Sequence, residues 1–151
     1  MPSKALDALY DYDPKYLADI LKSVKTIAMV GASGDKTKFS YGVLRVLHET
    51  GYEMLPVNPN PKLEEIRGIP VFHSLDEIDR PVDMVEVFRP KEEFYFIAQK
   101  AIALGAKVLW GQIGVYDDHA ARLAEEAGLK VVMNRCPKIE FARLSGELSW
   151  S

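Results

Sequence analysis

The feature that most constrains this chain is the run Ile27-Ala28-Met29-Val30-Gly31-Ala32-Ser33-Gly34, an apolar stretch of strand length that breaks into small residues before a helical pattern begins near Ser40. A strand, a glycine turn and a helix in that order present backbone N–H groups to a phosphate. The dinucleotide fingerprint wants glycine at its first, third and sixth positions, which here hold Gly31, Ser33 and Lys36. The phosphate-loop pattern fails as well, because no Gly-Lys-Ser or Gly-Lys-Thr follows at the right distance. The run is therefore a degenerate nucleotide loop.

The remaining chain reads as further strands, turns and helices laid beside this one. Asp13 and Pro14 are placed as cap and first residue of a helix over about 14–23, with Leu17, Ile20, Leu21 and Val24 on one face. After the glycine turn, Asp35, Lys36 and Lys38 form a charged stretch. Ser40 is expected to cap a helix over 41–50, ended by Gly51. Strands are expected at 52–57, 69–72, 82–88, 106–110 and 130–133, with a capped turn at 74–77. Helices are expected from Phe94 to a stop at Gly105, from Asp117 to Ala127, and from Pro137 towards Leu144. Alternation at this spacing predicts an α/β domain, a mainly parallel sheet covered by helices on both faces. One domain is expected over 1–151, its core about 24–144 and its tail from Ser145 only lightly docked.

Net charge is −3 from 19 basic and 22 acidic residues, so nothing draws the chain as a whole to nucleic acid or to an anionic membrane. The charged N-terminus has no signal-like core and no stretch approaches membrane-span length, which predicts a cytoplasmic protein. The lone Cys136 fits a reducing compartment. His48, His73 and His119 are scattered, so no metal site is expected.

In a doubly wound sheet, ligands sit outside the carboxyl ends of the strands. The residues out of place for pure packing fall there: Gly31 to Gly34, Asn58, Arg89, Gln112 and Arg135-Cys136-Pro137. Five unusual turns on one rim suggest one site.

Val30-Gly31-Ala32-Ser33, Val57-Asn58-Pro59, Val87-Phe88-Arg89-Pro90, Leu109-Trp110-Gly111-Gln112-Ile113-Gly114 and Asn134-Arg135-Cys136-Pro137-Lys138 occur in that order. With these five in register, the chain resembles the stand-alone CoA-binding domain proteins from about Val24 to Leu144. It is similar, more distantly, to the N-terminal domain of the succinyl-CoA synthetase alpha subunit. The resemblance implies a Rossmann-like three-layer sandwich. It also implies coenzyme A or acyl-CoA bound through the first loop, the turn after the second strand and the rim of the fourth and fifth strands. With the residues' own chemistry added, the candidate binding residues are Gly31, Ala32, Ser33, Lys38, Val57, Asn58, Pro59, Arg89, Pro90, Gln112, Ile113 and Cys136. Synthetases of the succinyl type pass phosphate through a histidine in a following domain, and this chain ends shortly after Pro137. The leading expectation is thus a non-catalytic carrier, sensor or regulator of acyl-CoA metabolism with an unknown protein partner. The alternatives are a nucleotide-dependent oxidoreductase or acyl-CoA-handling enzyme borrowing groups from a partner chain, and a structural subunit of a larger synthetase.

Each residue also has a plainer reading. Gly31 serves a phosphate approach or a simple strand-to-helix turn; Gly31→Val is expected to block the approach while the fold survives. Ser33 donates to phosphate or caps the turn. Lys36 and Lys38 meet a diphosphate or a 3′-phosphate, or are merely solvated. Asn58 stands where an NAD enzyme usually has Asp or Glu, which argues against NAD. Arg89 is a phosphate ligand or half of an ion pair, and Gln112 a ligand contact or a solvent-facing turn residue. Cys136 packs against the final helix or, on the rim, exchanges with a ligand thiol. Glu86, inside an apolar strand, must be paired, protonated or turned to an edge. Trp110, Tyr10, Tyr12 and Tyr16 read as packing residues.

Overall fold

The computed structural model describes residues 12–145; Tyr10 and the tail beyond Ser145 lie outside them. In chain order the elements are α1 (Pro14–Ser23), β1 (Thr26–Val30), α2 (Phe39–Thr50), β2 (Glu53–Val57), β3 (Glu65–Ile66), β4 (Ile69–Pro70), β5 (Met84–Val87), α3 (Phe94–Leu104), β6 (Val108–Gly111), α4 (Asp118–Glu126), β7 (Lys130–Val132) and α5 (Pro137–Arg143). Single 3-10 turns at Leu75–Glu77 and Lys91–Glu93 precede β5 and α3.

The main sheet has strand order β2-β1-β5-β6-β7, and every pairing is parallel. Its strands are buried on both faces, which is why they are apolar without alternation. Ile27, Met29, Met84, Val108, Trp110 and Val132 pack under α1, α2 and α5. Ala28, Leu55, Val85, Val87, Leu109 and Val131 pack under α3 and α4. The result is an α/β Rossmann-like sandwich with helices on both faces.

Local signals explain most boundaries. The Asp13 side chain accepts from the Lys15 N–H, with Pro14 opening α1. Asp117 accepts from the Ala120 N–H and starts α4. Gly51 and Gly105 close α2 and α3 in the left-handed region, where a side chain would strain the backbone.

Two expectations are corrected. Ser40 is not the cap of α2: the helix starts at Phe39 with Lys38 as its N-cap and no side-chain cap hydrogen bond, leaving Ser40 buried in the first turn. The reason is local, because the Asp35 carboxylate gathers the Thr37 N–H at 2.9 Å and hydroxyl at 2.7 Å and turns the chain into the helix early. Nor is 69–72 a strand of the main sheet. Ile69–Pro70 pairs antiparallel with Glu65–Ile66 in a separate ribbon, and Phe72 makes only an isolated bridge to Val57. Pro70 has no N–H for a ladder, and positive φ at Arg67 and Gly68 makes a tight hairpin instead.

Candidate functional site

Strand β1 lies between β2 and β5, so the chain leaves it towards one side of the sheet and returns on the other. The connections after β1 and β5 thereby diverge, opening a crevice at their carboxyl ends. Gly31, at φ +93°, sits at that point because nothing larger fits. A Cβ there would lie 2.5 Å from the Phe88 carbonyl oxygen. The expectation that Gly31→Val spares the fold is therefore overturned by backbone contact and backbone conformation together.

The first loop is tied to the second turn rather than left open along its length. The Gly31 and Ala32 N–H groups both donate to the Val57 carbonyl, at 3.1 and 3.2 Å. The Asn58 side-chain amide donates to the Ala32 carbonyl at 2.8 Å, and its oxygen accepts from the Asn60 N–H at 2.8 Å. The Ser33 hydroxyl accepts from the Asp35 N–H at 3.0 Å. The N–H groups of Ser33 and Gly34 donate to no group among the described residues. With the N-terminus of α2, which lacks a side-chain cap, they form the donor face of the loop. Lys36 and Lys38 are exposed beside it, without an ion pair among the described residues.

On the α3 side of Gly31 is a cleft of about 220 Å³, floored by Val30, Val57, Leu75 and Ile97 and edged by Pro59 and Phe96. Its cations are already matched. Arg89 makes a two-point pair with Glu93, Nη2 to Oε2 at 2.8 Å and Nε to Oε1 at 3.2 Å, and that hydrogen-bonded carboxylate raises the guanidinium pKa. Lys100 meets Asp76 at 2.9 Å. At the same edge the His73 main-chain N–H donates to the Glu77 carboxylate at 2.7 Å, and the His73 ring Nε2 lies 3.0 Å from the Leu63 carbonyl oxygen. The cleft is thus nearly neutral and suits a flat uncharged group better than a phosphate.

The other expected residues divide. Gly31, Val57, Pro59 and Arg89 line the cleft, while Pro90 is exposed at the start of the turn into α3. Ile113 is exposed on the β6 turn, but Gln112 beside it is buried rather than solvent-facing, and its side-chain oxygen has no partner among the described residues. Cys136 is 1 % exposed, enclosed by the α1, α2 and α5 packing rather than presented on the rim. Glu86 is fully buried, neither carboxylate oxygen has a partner among the described residues, and burial pushes its pKa well above the ordinary carboxylate range. Of its three readings the protonated one stands. Trp110 is a packing residue whose Nε1 donates to the Arg135 carbonyl at 2.9 Å.

The sequence reading missed Glu93, Phe96 and Lys100. A signal was present: Phe94-Tyr95-Phe96 opens α3 with three aromatics, of which a helix facing a sheet can bury only part. Phe94 is buried and Phe96 lies at the cleft mouth.

These elements define a doubly wound Rossmann-like domain with its crevice at the switch point between β1 and β5. The chain belongs to the CoA binding domain family, which it matches over residues 25–142. It is 36% identical over 126 residues to the uncharacterized protein YneT of Bacillus subtilis, covering 83% of this chain and 92% of that one. It is 33% identical over 98 residues to the acetate–CoA ligase (ADP-forming) II subunit alpha of Pyrococcus furiosus, spanning 64% of this chain but only 20% of the ligase subunit. Among solved structures, a hypothetical protein from Pyrococcus horikoshii OT3 superposes with a TM-score of 0.84 at 36% identity, over 90% of this chain and 94% of that one. No helix among the described residues is long and apolar enough to cross a membrane.

Proposed function

We propose that this chain binds coenzyme A or an acyl-CoA along the carboxyl rim, as a single-domain carrier, sensor or regulator in the cytoplasm. The observation that carries the reading is the division of the crevice around Gly31. A neutral apolar cleft lies on one side; on the other lie the Ser33 and Gly34 N–H groups, α2 without a side-chain cap and two lysines, with neither those N–H groups nor the lysines partnered among the described residues. That division matches a nucleotide whose base is uncharged and whose phosphates are not. In this reading the base enters the cleft past Val57 and Pro59, and the diphosphate meets Ser33, Gly34 and Lys38. Asn58 holds the loop, and Arg89 borders the base as half of its pair with Glu93. Ile113 meets the far end of the extended arm and the group it carries, and Gln112, buried beside it with an open side-chain oxygen, backs that part of the rim.

Binding is tested by thermal unfolding with CoA, dephospho-CoA and NAD at equal concentration. A ligand at a hundred times its dissociation constant adds about 2.7 kcal/mol. For a domain of this size that raises the midpoint by roughly 5 to 10 °C. CoA is expected to give that rise and NAD a much smaller one, since Asn58 supplies no carboxylate for a ribose. Equal shifts, or none with CoA, would return the chain to an unassigned Rossmann-like class.

A second reading is a subunit that handles acyl-CoA chemistry with a partner chain. It is favoured by the likeness to part of an acetate–CoA ligase subunit. Co-purification of a second chain that confers acyl-CoA turnover would select it.

A further inference from the structure

All six exposed large hydrophobic side chains among the described residues lie on one edge of the molecule. Phe39, Tyr95, Phe96 and Ile139 stand in the first turns of α2, α3 and α5, while Ile113 and Tyr116 stand in the turn after β6. Every one of these segments leaves the carboxyl end of a strand. Scattered apolar residues on a surface need no explanation, but confinement to one edge does. Three of them continue the donor face of the first loop towards β6 and β7. Phe39 is 53% exposed and its ring centroid lies 6.4 Å from that of Phe88. Ile113, 56% exposed, follows Gln112, whose N–H donates to the Val87 carbonyl next to Phe88. Ile139, 45% exposed, follows Lys138, whose ammonium stands 5.9 Å from the Phe39 ring.

The rim is therefore graded along the sheet. A neutral cleft stands at β2, β1 and β5, phosphate donors lie at β1 and the start of α2, and the apolar side chains that make the patch follow towards β6 and β7: Phe39 on Phe88, then Ile113 and Ile139 at the starts of the neighbouring segments. Five strands at about 4.8 Å spacing make this edge about 19 Å long, enough for an extended ligand.

We propose that this patch receives the acyl group, and that the preferred ligand is an acyl-CoA with an apolar chain of several carbons rather than free CoA or acetyl-CoA. The proposal rests on the CoA reading above. A methylene fully withdrawn from water strengthens binding about fourfold, and one laid on a half-open patch about twofold.

The test is calorimetric titration with CoA, acetyl-CoA, butyryl-CoA and hexanoyl-CoA. Affinity is expected to climb with chain length, reaching about sixteenfold over the four methylenes between acetyl- and hexanoyl-CoA. Ile139→Ser is expected to flatten that climb and leave the affinity for free CoA, which carries no acyl group, unchanged, with circular dichroism checking the fold. Binding of CoA without dependence on chain length would overturn the acyl assignment and leave the CoA reading intact. So would an Ile139→Ser protein that keeps the full climb. If the same substitution instead abolishes self-association, the patch is an interface between copies and the proposal fails. Absence of binding by every member of the series would overturn both.

Discussion

The Asn58 side-chain amide donates to the Ala32 main-chain carbonyl at 2.8 Å, joining the turn after β2 to the loop after β1 across 26 residues of sequence. With the Val57 carbonyl accepting from Gly31 and Ala32, it holds the loop so that Ser33 and Gly34 carry the open N–H groups. Asn58→Ala is expected to reduce stability by about 1–2 kcal/mol. CoA affinity should fall about tenfold through the loosened loop. Asn58→Asp places a carboxylate against the Ala32 carbonyl and should lower stability further without creating NAD binding. Urea unfolding and thermal shifts with both nucleotides measure these effects.

Gly31 and Gly34 should respond differently to a methyl group. At Gly31 a Cβ meets the Phe88 carbonyl at 2.5 Å under φ +93°, so Gly31→Ala is expected to cost about 3 kcal/mol or more. At Gly34 the nearest atom is the end of the Leu63 side chain at 3.2 Å, and φ is not positive. Gly34→Ala should fold normally and lose CoA affinity by crowding the donor face. Denaturation midpoints compared with calorimetric dissociation constants separate the two.

Glu86 predicts a pH dependence of definite sign. In the unfolded chain its carboxyl titrates near the ordinary value of 4.5, whereas burial keeps it protonated to much higher pH in the fold. The native state then binds the extra proton, so stability is greatest below that unfolded value. It falls as pH rises towards the raised native pKa, at up to about 1.4 kcal/mol per pH unit. Glu86→Gln cannot ionise and should remove this slope, making the variant relatively more stable at alkaline pH. Unfolding free energies at several pH values test this; parallel curves for the two proteins would refute it.

Tyr16 closes the outer edge of the sheet. Its hydroxyl donates to the Val131 carbonyl at 2.9 Å and accepts from the Val131 N–H at 3.1 Å, while the Tyr12 hydroxyl accepts from the Met133 N–H at 2.8 Å. A sheet edge left bare is a template for association. Tyr16→Phe is expected to lose about 1–3 kcal/mol and to speed amide exchange at Val131. Exchange measured residue by residue would show whether protection is lost there first.

Much of the architecture was legible because its signals are local. Apolar runs of strand length, the Asp13-Pro14 start, the Asp117 cap and glycines after the helices reflect backbone sterics and short-range hydrogen bonds, and their spacing implies parallel strands with helices over both faces. The rim could be located for the same reason, since a strand end is visible in sequence. The tertiary structure decided what each rim residue is free to do. Arg89 faces Glu93 one helical turn away, Asn58 is engaged by a loop 26 residues earlier, and Cys136 lies beneath helices that sequence alone cannot place. Hydrogen-bond vacancy, burial and ion pairing depend on which distant groups arrive within a few ångströms. For that reason the Ser33 and Gly34 N–H groups, the neutral cleft and the unpartnered Glu86 emerge only once the strands are ordered β2-β1-β5-β6-β7.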